Sequence, residues 1–256
     1  MGINTTKKQN NLSVQREPDS VKKMAQVYFV LAENLRNRFK YKESLENYLK
    51  SILIDRNNVF SYIGAAISYK NLRNYDKAID CLKKAEVLDC CENTIQKELA
   101  MCYIINGNFD NGLRHLIEAI KKEPNNLDMQ MQLALVHEMI DEEDMALMIY
   151  QKIIETDETY IRAYIQKATL YMNIKDYYNS ALLFKKVIKM KPDYYRAFLA
   201  IGICYEKLSN YNGAKRYYKK YLQMNPLAEN YFDIKNRLKT IVTKTRNNKA
   251  KLRVVY

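Results

Sequence analysis

The sequence predicts an all-α fold, a solenoid stacked from six helical hairpins, and three observations carry that expectation. Apolar residues recur at helical spacing in short segments that pair around a polar break. The paired pattern returns every 34 residues. Two columns of the repeat hold small residues throughout, as antiparallel helices need where their backbones approach most closely, since a larger residue there overpacks by ~1–3 kcal/mol.

The unit is plainest from Asp193 to Pro226. Phe198, Ile201, Ile203 and Tyr205 surround Gly202 on its first segment, and Tyr211, Ala214, Tyr218, Tyr221 and Leu222 line the second, with Ser209 and Asn210 breaking the pattern between them. Stepping by 34, the place of Gly202 is held by Ala32, Ala66, Ala100, Ala134 and Ala168, and that of Ala214 by Ser44, Ala78, Gly112, Ala146 and Ser180. The Tyr205 column reads Leu35, Tyr69, Tyr103, His137 and Tyr171, and the Tyr218 column Tyr48, Leu82, Leu116, Tyr150 and Phe184. These larger side chains fill the space that the small ones leave. Asn74, Asn108, Asp176 and Asn210 precede the second helices and suit the free N–H groups there, whereas Glu142 does not.

An aromatic, a small residue and a Tyr on the first helix, followed by Ala, an aromatic and a late Pro on the second, resemble the tetratricopeptide repeat. Six units fit without insertion, at about 25–58, 59–92, 93–126, 127–160, 161–194 and 195–228. The first departs most, with Ser51 in a column usually held by Ala and Arg56 where Pro is common; the fourth has Glu143 where its sisters carry an aromatic. The resemblance implies a right-handed superhelix, one elongated domain whose first helices line a concave face.

In chain order, residues 1–20 are polar, lack a hydrophobic period and read as a mobile arm. MGINTT matches the acceptor pattern for N-myristoylation at Gly2, set against a plain disordered start. With no secretory core and no apolar run of membrane-spanning length, a cytoplasmic protein is expected. The solenoid should occupy 21–242, ending in a capping helix at 229–242, where Tyr231, Ile234, Leu238 and Ile241 recur at helical spacing with a polar back. Residues 243–256 form a basic tail that should fray.

Enzymatic readings lack their residues, and no enzyme is expected. His137 stands in a core column and is read as a satisfied buried imidazole rather than a catalyst; His115, on a second helix, should be partly exposed. His137-Glu138 lacks the second His of a zinc protease motif, and Gly107 to Gly112 is followed by Leu113 where a P-loop has Lys. The acidic run 141–144 lacks the ligand alternation of a calcium loop. Cys81, Cys90, Cys91, Cys102 and Cys204 form no CxxC pair and point to reduced, structural thiols. No metal, cofactor or small-molecule substrate is expected.

Charge is uneven along the net +13 chain. The arm and first unit carry +3 and +2, the second and third are neutral, the fourth is −8, the fifth and sixth are +5 each, and residues 229–256 add +6. That asymmetry suggests end-specific partners, although a genome favouring A and T would also enrich Lys, Asn, Ile and Tyr.

Function is therefore sought in the groove that the resemblance implies. Its lining would be Phe29, Ile63, Ile67, Lys97, Met101, Met131, Leu135, Arg162, Ile165, Arg196, Leu199 and Ile203, taking a peptide or helix of another protein. Arg162 and Arg196 would favour acidic residues at one end, Asp128 and Glu138 basic ones near the fourth unit. Two alternatives stand beside this. One is weak nucleic-acid or anionic-lipid binding through the basic C-terminal third, with Tyr217, Tyr218 or Tyr221 stacking if exposed. The other is a carboxylate clamp for chaperone tails, approached by Lys97, Gln132, Arg162 and Gln166 but interrupted by Met101.

Overall fold

The computed structural model describes residues 18–89 and 93–254. The Gly2 acceptor, most of the expected N-terminal arm, Cys90 and Cys91 lie outside the described residues. Thirteen helices are present among those described: α1 (Pro18–Asn37), α2 (Tyr41–Ile54), α3 (Val59–Asn71), α4 (Tyr75–Leu88), α5 (Asn93–Ile105), α6 (Phe109–Lys122), α7 (Leu127–Met139), α8 (Glu143–Thr156), α9 (Ile161–Asn173), α10 (Tyr177–Met190), α11 (Tyr195–Lys207), α12 (Tyr211–Met224) and α13 (Tyr231–Val254). From α2 onward each hairpin's helices begin 34 residues after their predecessors, so the sequence interval is also the structural one.

The turns within hairpins repeat in detail. Each ends its first helix on a left-handed residue: Phe39, Arg73, Gly107, Asp141, Lys175 and Ser209. The next N–H then donates back to the carbonyl five residues earlier, as from Asn74 to Tyr69 and from Asn210 to Tyr205, closing the helix as a Schellman motif does. Only Gly107 adopts this conformation without the ~1–2 kcal/mol cost of a Cβ. Asn74, Asn108, Asp176 and Asn210 accept a backbone N–H three residues on with their side chains, and Glu142 does not. Asn58 and Asn126 do the same for the first helices α3 and α7.

The chain divides into two compact units, residues 1–122 and 123–256. In unit 1 the cores gather around Leu82, Ile95 and Leu99, and around Ala32, Tyr48 and Ala65. Between α2 and α3 the small columns hold serines. Ser51 Oγ lies 2.8 Å from Ser61 Oγ, and Ser44 Oγ lies 3.4 Å from Ser68 Oγ. Ser44 and Ser51 also donate to the carbonyls of Ala32 and Ala25, and Ser68 to that of Gly64. These fully buried hydroxyls are thereby satisfied, which avoids the ~1–3 kcal/mol cost of an orphaned polar group. Tyr48 lies over Gly64, where an added Cβ would come within 2.2 Å of its ring.

Unit 2 has a core of Met131, Tyr150, Ile153, Tyr164, Phe184 and Ile201, with a second cluster where α13 covers the last hairpin through Ile234 and Ile241. The capping helix does not stop at 242; it continues to Val254, over the stretch read as a fraying tail. That stretch, TKTRNNKAKLRV, contains neither Gly nor Pro, so nothing local breaks the helix.

A concavity on the first helices of unit 2

Four of the expected groove residues come together in unit 2. Ile165 on α9 and Arg196, Leu199 and Ile203 on α11 line a concavity of about 690 Å³, within the ~300–1,000 Å³ range of ligand sites. The helical period explains the assembly: 165, 169 and 172 share one face of α9, and 196, 199 and 203 share one face of α11. The connection from α12 to α13 closes the end with Asn225, Leu227, Glu229 and Asn230. Tyr221 holds that connection, its hydroxyl donating to Asn230 Oδ1 at 2.7 Å while its ring lies 6.1 Å from that of Tyr195. Leu227 is 94% exposed on the rim.

The resulting surface has an aliphatic floor, one cation, one carboxylate and amide groups at the mouth. The Arg196 guanidinium forms no ion pair among the described residues. Such a site suits an apolar side chain flanked by an acidic group. It contains no nucleophile with a base beside it, and among the described residues no group of three or more His, Cys, Asp or Glu is placed to hold a metal.

The other expected groove residues are placed differently. Met131 is 1% exposed and shares the buried cluster of Ala163 and Tyr164 on α9; Ile63, 6% exposed, shares that of Ile95 and Leu99 on α5. Both are buried within these clusters, so neither offers a binding surface. Phe29 packs on the Tyr48 ring at 6.1 Å, Ile67 edges the cluster around Leu82, and Lys97, Met101 and Leu135 are half-buried. Arg162 and Asp128, expected to select opposite charges, instead pair with each other at 3.0 Å, and Tyr160 adds a hydrogen bond to the same carboxylate at 2.5 Å. Glu138 accepts from the Tyr150 hydroxyl, and burial raises its pKa. Of the carboxylate-clamp residues, Arg162 is already bound by Asp128.

Tyr217, Tyr218 and Tyr221 are buried, so none presents a ring for base stacking. His115 is 4% exposed, not partly open as expected. It stacks on Tyr103 at 5.5 Å and donates from Nδ1 to Gln96 Oε1 at 2.7 Å, while Arg114 donates to its Nε2. Gln96 passes the link on to Glu86 at 2.8 Å. Burial, then Arg114, lowers the His115 pKa. His137 is buried and donates to Glu142 at 2.6 Å. Burial pushes the Cys102 and Cys81 thiols up to about 11, away from the reactive thiolate.

The 225–230 connection was not foreseen. Its signal in the sequence is a single leucine placed after Pro226 in an otherwise polar turn, too short a pattern to read as a surface.

Comparison with known proteins agrees with this architecture. The family model "Tetratricopeptide repeat" matches residues 61–88, 161–194 and 195–226. A TPR repeat-containing protein of Methanocaldococcus jannaschii is 33% identical over 60 residues, which are 23% of this chain and 19% of that protein, so the match spans about a fifth of the relative. The C-terminal part of a TPR repeat-containing protein from Cytophaga hutchinsonii superposes with a TM-score of 0.74 at 20% identity, over 80% of this chain and 83% of that one. Pseudomonas aeruginosa pilF gives 0.63 at 14% identity over 86% and 99%. YrrB, described as a TPR protein with an unusual peptide-binding site, gives 0.59 at 20% over 74% and 97%. At these identities the structural likenesses speak for the fold. Among the described residues no helix is long and apolar enough to cross a membrane.

Proposed function

We propose that this chain, which carries tetratricopeptide repeats, is a non-enzymatic interaction scaffold whose unit 2 concavity holds an extended or helical segment of another protein. The single observation that supports this reading is the convergence of Ile165, Leu199, Ile203 and Leu227 around Arg196 in one open cavity. An aliphatic floor with a cation at its edge selects an apolar side chain next to Asp or Glu. The cytoplasm is the proposed location, consistent with thiols that burial keeps unreactive.

Selection of a random peptide library against the immobilised chain tests the proposal. Enriched peptides should pair an aliphatic or aromatic residue with a neighbouring acid. Their affinity should fall about tenfold with Arg196→Glu, the equivalent of ~1.4 kcal/mol, and be lost with Leu199→Asp, while far-ultraviolet circular dichroism stays the same. Peptides that bind both variants as well as the parent would place the site elsewhere and refute the reading.

A further inference from the structure

We propose that the N-terminal edge of unit 1 is a self-association surface, on which the α1–α2 hairpin docks against that of a second copy of this chain as a two-fold four-helix bundle. The internal register shows what this edge is built to meet. Where α2 lies on α3, Ser61, Gly64, Ala65 and Ser68 face the preceding helix and are all buried. The residues 34 positions earlier are Val27, Val30, Leu31 and Asn34 on α1. They occupy the same face, yet Val27 is 65%, Val30 47% and Leu31 46% exposed, and among the described residues no helix covers them.

The second helix of the hairpin continues the patch. Lys83 and Val87 on α4 share a concavity with Arg56 of the preceding hairpin, so their register positions look back along the stack. In the first hairpin those positions are Leu49 and Leu53, 42% and 74% exposed. The later hairpins carry Lys83 and Val87, Ile117 and Lys121, Gln151 and Glu155, Lys185 and Lys189, and Lys219 and Gln223. The first hairpin alone is aliphatic at both. A terminal repeat that ends in solvent has a polar outer face; this one has aliphatic side chains on both helices.

A second copy fits this edge better than a charged partner does. The centre of the patch carries no charge for such a partner to meet. At its margin Glu46 and Lys50 stand exposed one turn apart on α2 without an ion pair between them, so antiparallel pairing of two α2 helices sets each Glu46 toward the other copy's Lys50. Two helices side by side, each ~10 Å across and ~20 Å long, give a flat footprint on the order of 400 Å². That is about half the ~800 Å² per partner of a standard interface, so the pairing is a modest, concentration-dependent one.

Sedimentation velocity of the full chain at micromolar concentration tests this, and a species of twice 30.3 kDa is expected. Val27→Glu with Leu31→Glu, and separately Leu49→Glu with Leu53→Glu, should each give the monomer with unchanged helical circular dichroism. Leu227→Glu in unit 2 should leave the dimer intact. Glu46→Lys or Lys50→Glu alone should weaken association, and the two together should restore it. A parent chain that is monomeric overturns the proposal, as does a dimer that survives both double variants. A monomer that dimerises only once residues 1–17 are removed assigns the edge to that segment and equally overturns it.

Discussion

On α1 the residues Val27, Val30, Leu31 and Asn34 are exposed, while of their register equivalents on α13 Ile234 and Leu238 join the cluster of α12, Ile234 being only 4% exposed, Tyr231 is half-buried and Lys235 stays in solvent. Both helices occupy the place of a first helix in the repeat. The difference lies in what precedes them: α13 follows a second helix that covers its inner face, and α1 follows none among the described residues. The outer face of α13 is mostly polar, with Asp233, Asn236, Lys239 and Thr240 exposed around a single exposed ring, Phe232. A repeat stack thus fixes burial through neighbours rather than through composition, and an end is soluble only where the chain supplies a polar back.

The largest expected effect breaks the covered end. Ile241→Ala removes a side chain that is 1% exposed between α13 and α12, and should destabilise unit 2 by about 2–5 kcal/mol. Leu53→Ala at the open edge should change monomer stability by no more than about 0.5 kcal/mol. Denaturant unfolding of the two variants side by side measures the contrast, and equal losses would remove it.

A smaller effect compares the tyrosine latches of the first and last hairpins. Tyr218 donates to Glu206 at 2.6 Å, and Arg237 of α13 reaches the same carboxylate at 3.3 Å. Tyr48 donates to Glu33 in the first hairpin, where Arg36 of the same helix takes the corresponding role. Tyr218→Phe and Tyr48→Phe should each cost about 1–2 kcal/mol. A double-mutant cycle should couple Tyr218 to Arg237 and not Tyr48 to Arg237. Additive losses for Tyr218 with Arg237 would mean that the cap does not share the latch.

The smallest effect is on pH. His115 faces Arg114 and Glu118 on its own helix and Lys83 and Glu86 on α4. Its depressed folded pKa means that the unfolded chain binds the proton first as acidity rises. The stability it contributes is full above the ordinary imidazole value of about 6.5 and is lost as pH falls through it. Unfolding of unit 1 at neutral pH and near pH 5 should show that loss, and His115→Gln should flatten it. A parent chain more stable in acid than at neutrality would contradict the assigned proton.

The repeat itself was legible because its two small columns, and the larger side chains that face them, return at a fixed interval of 34 residues. The left-handed turn was not, since five of its six positions hold Phe, Arg, Asp, Lys or Ser, residues whose own preference points elsewhere. Burial of His115 escaped detection because its partners, Gln96 and Glu86, come from two other helices. In the site, one fixed position within the repeat lines a concavity at Leu199 and Ile165 and is buried at Met131 and Ile63. The same place is a surface or a core according to the side chains that neighbouring helices bring against it, which no single unit encodes.

Hydrogen exchange of the full chain, with and without a saturating selected peptide, tests most directly whether the unit 2 concavity is where a partner segment binds. The account predicts added protection in α9, in α11 and in residues 225–230, with α10 unchanged. Protection confined to the outer helices α10 and α12, or to unit 1, would contradict it.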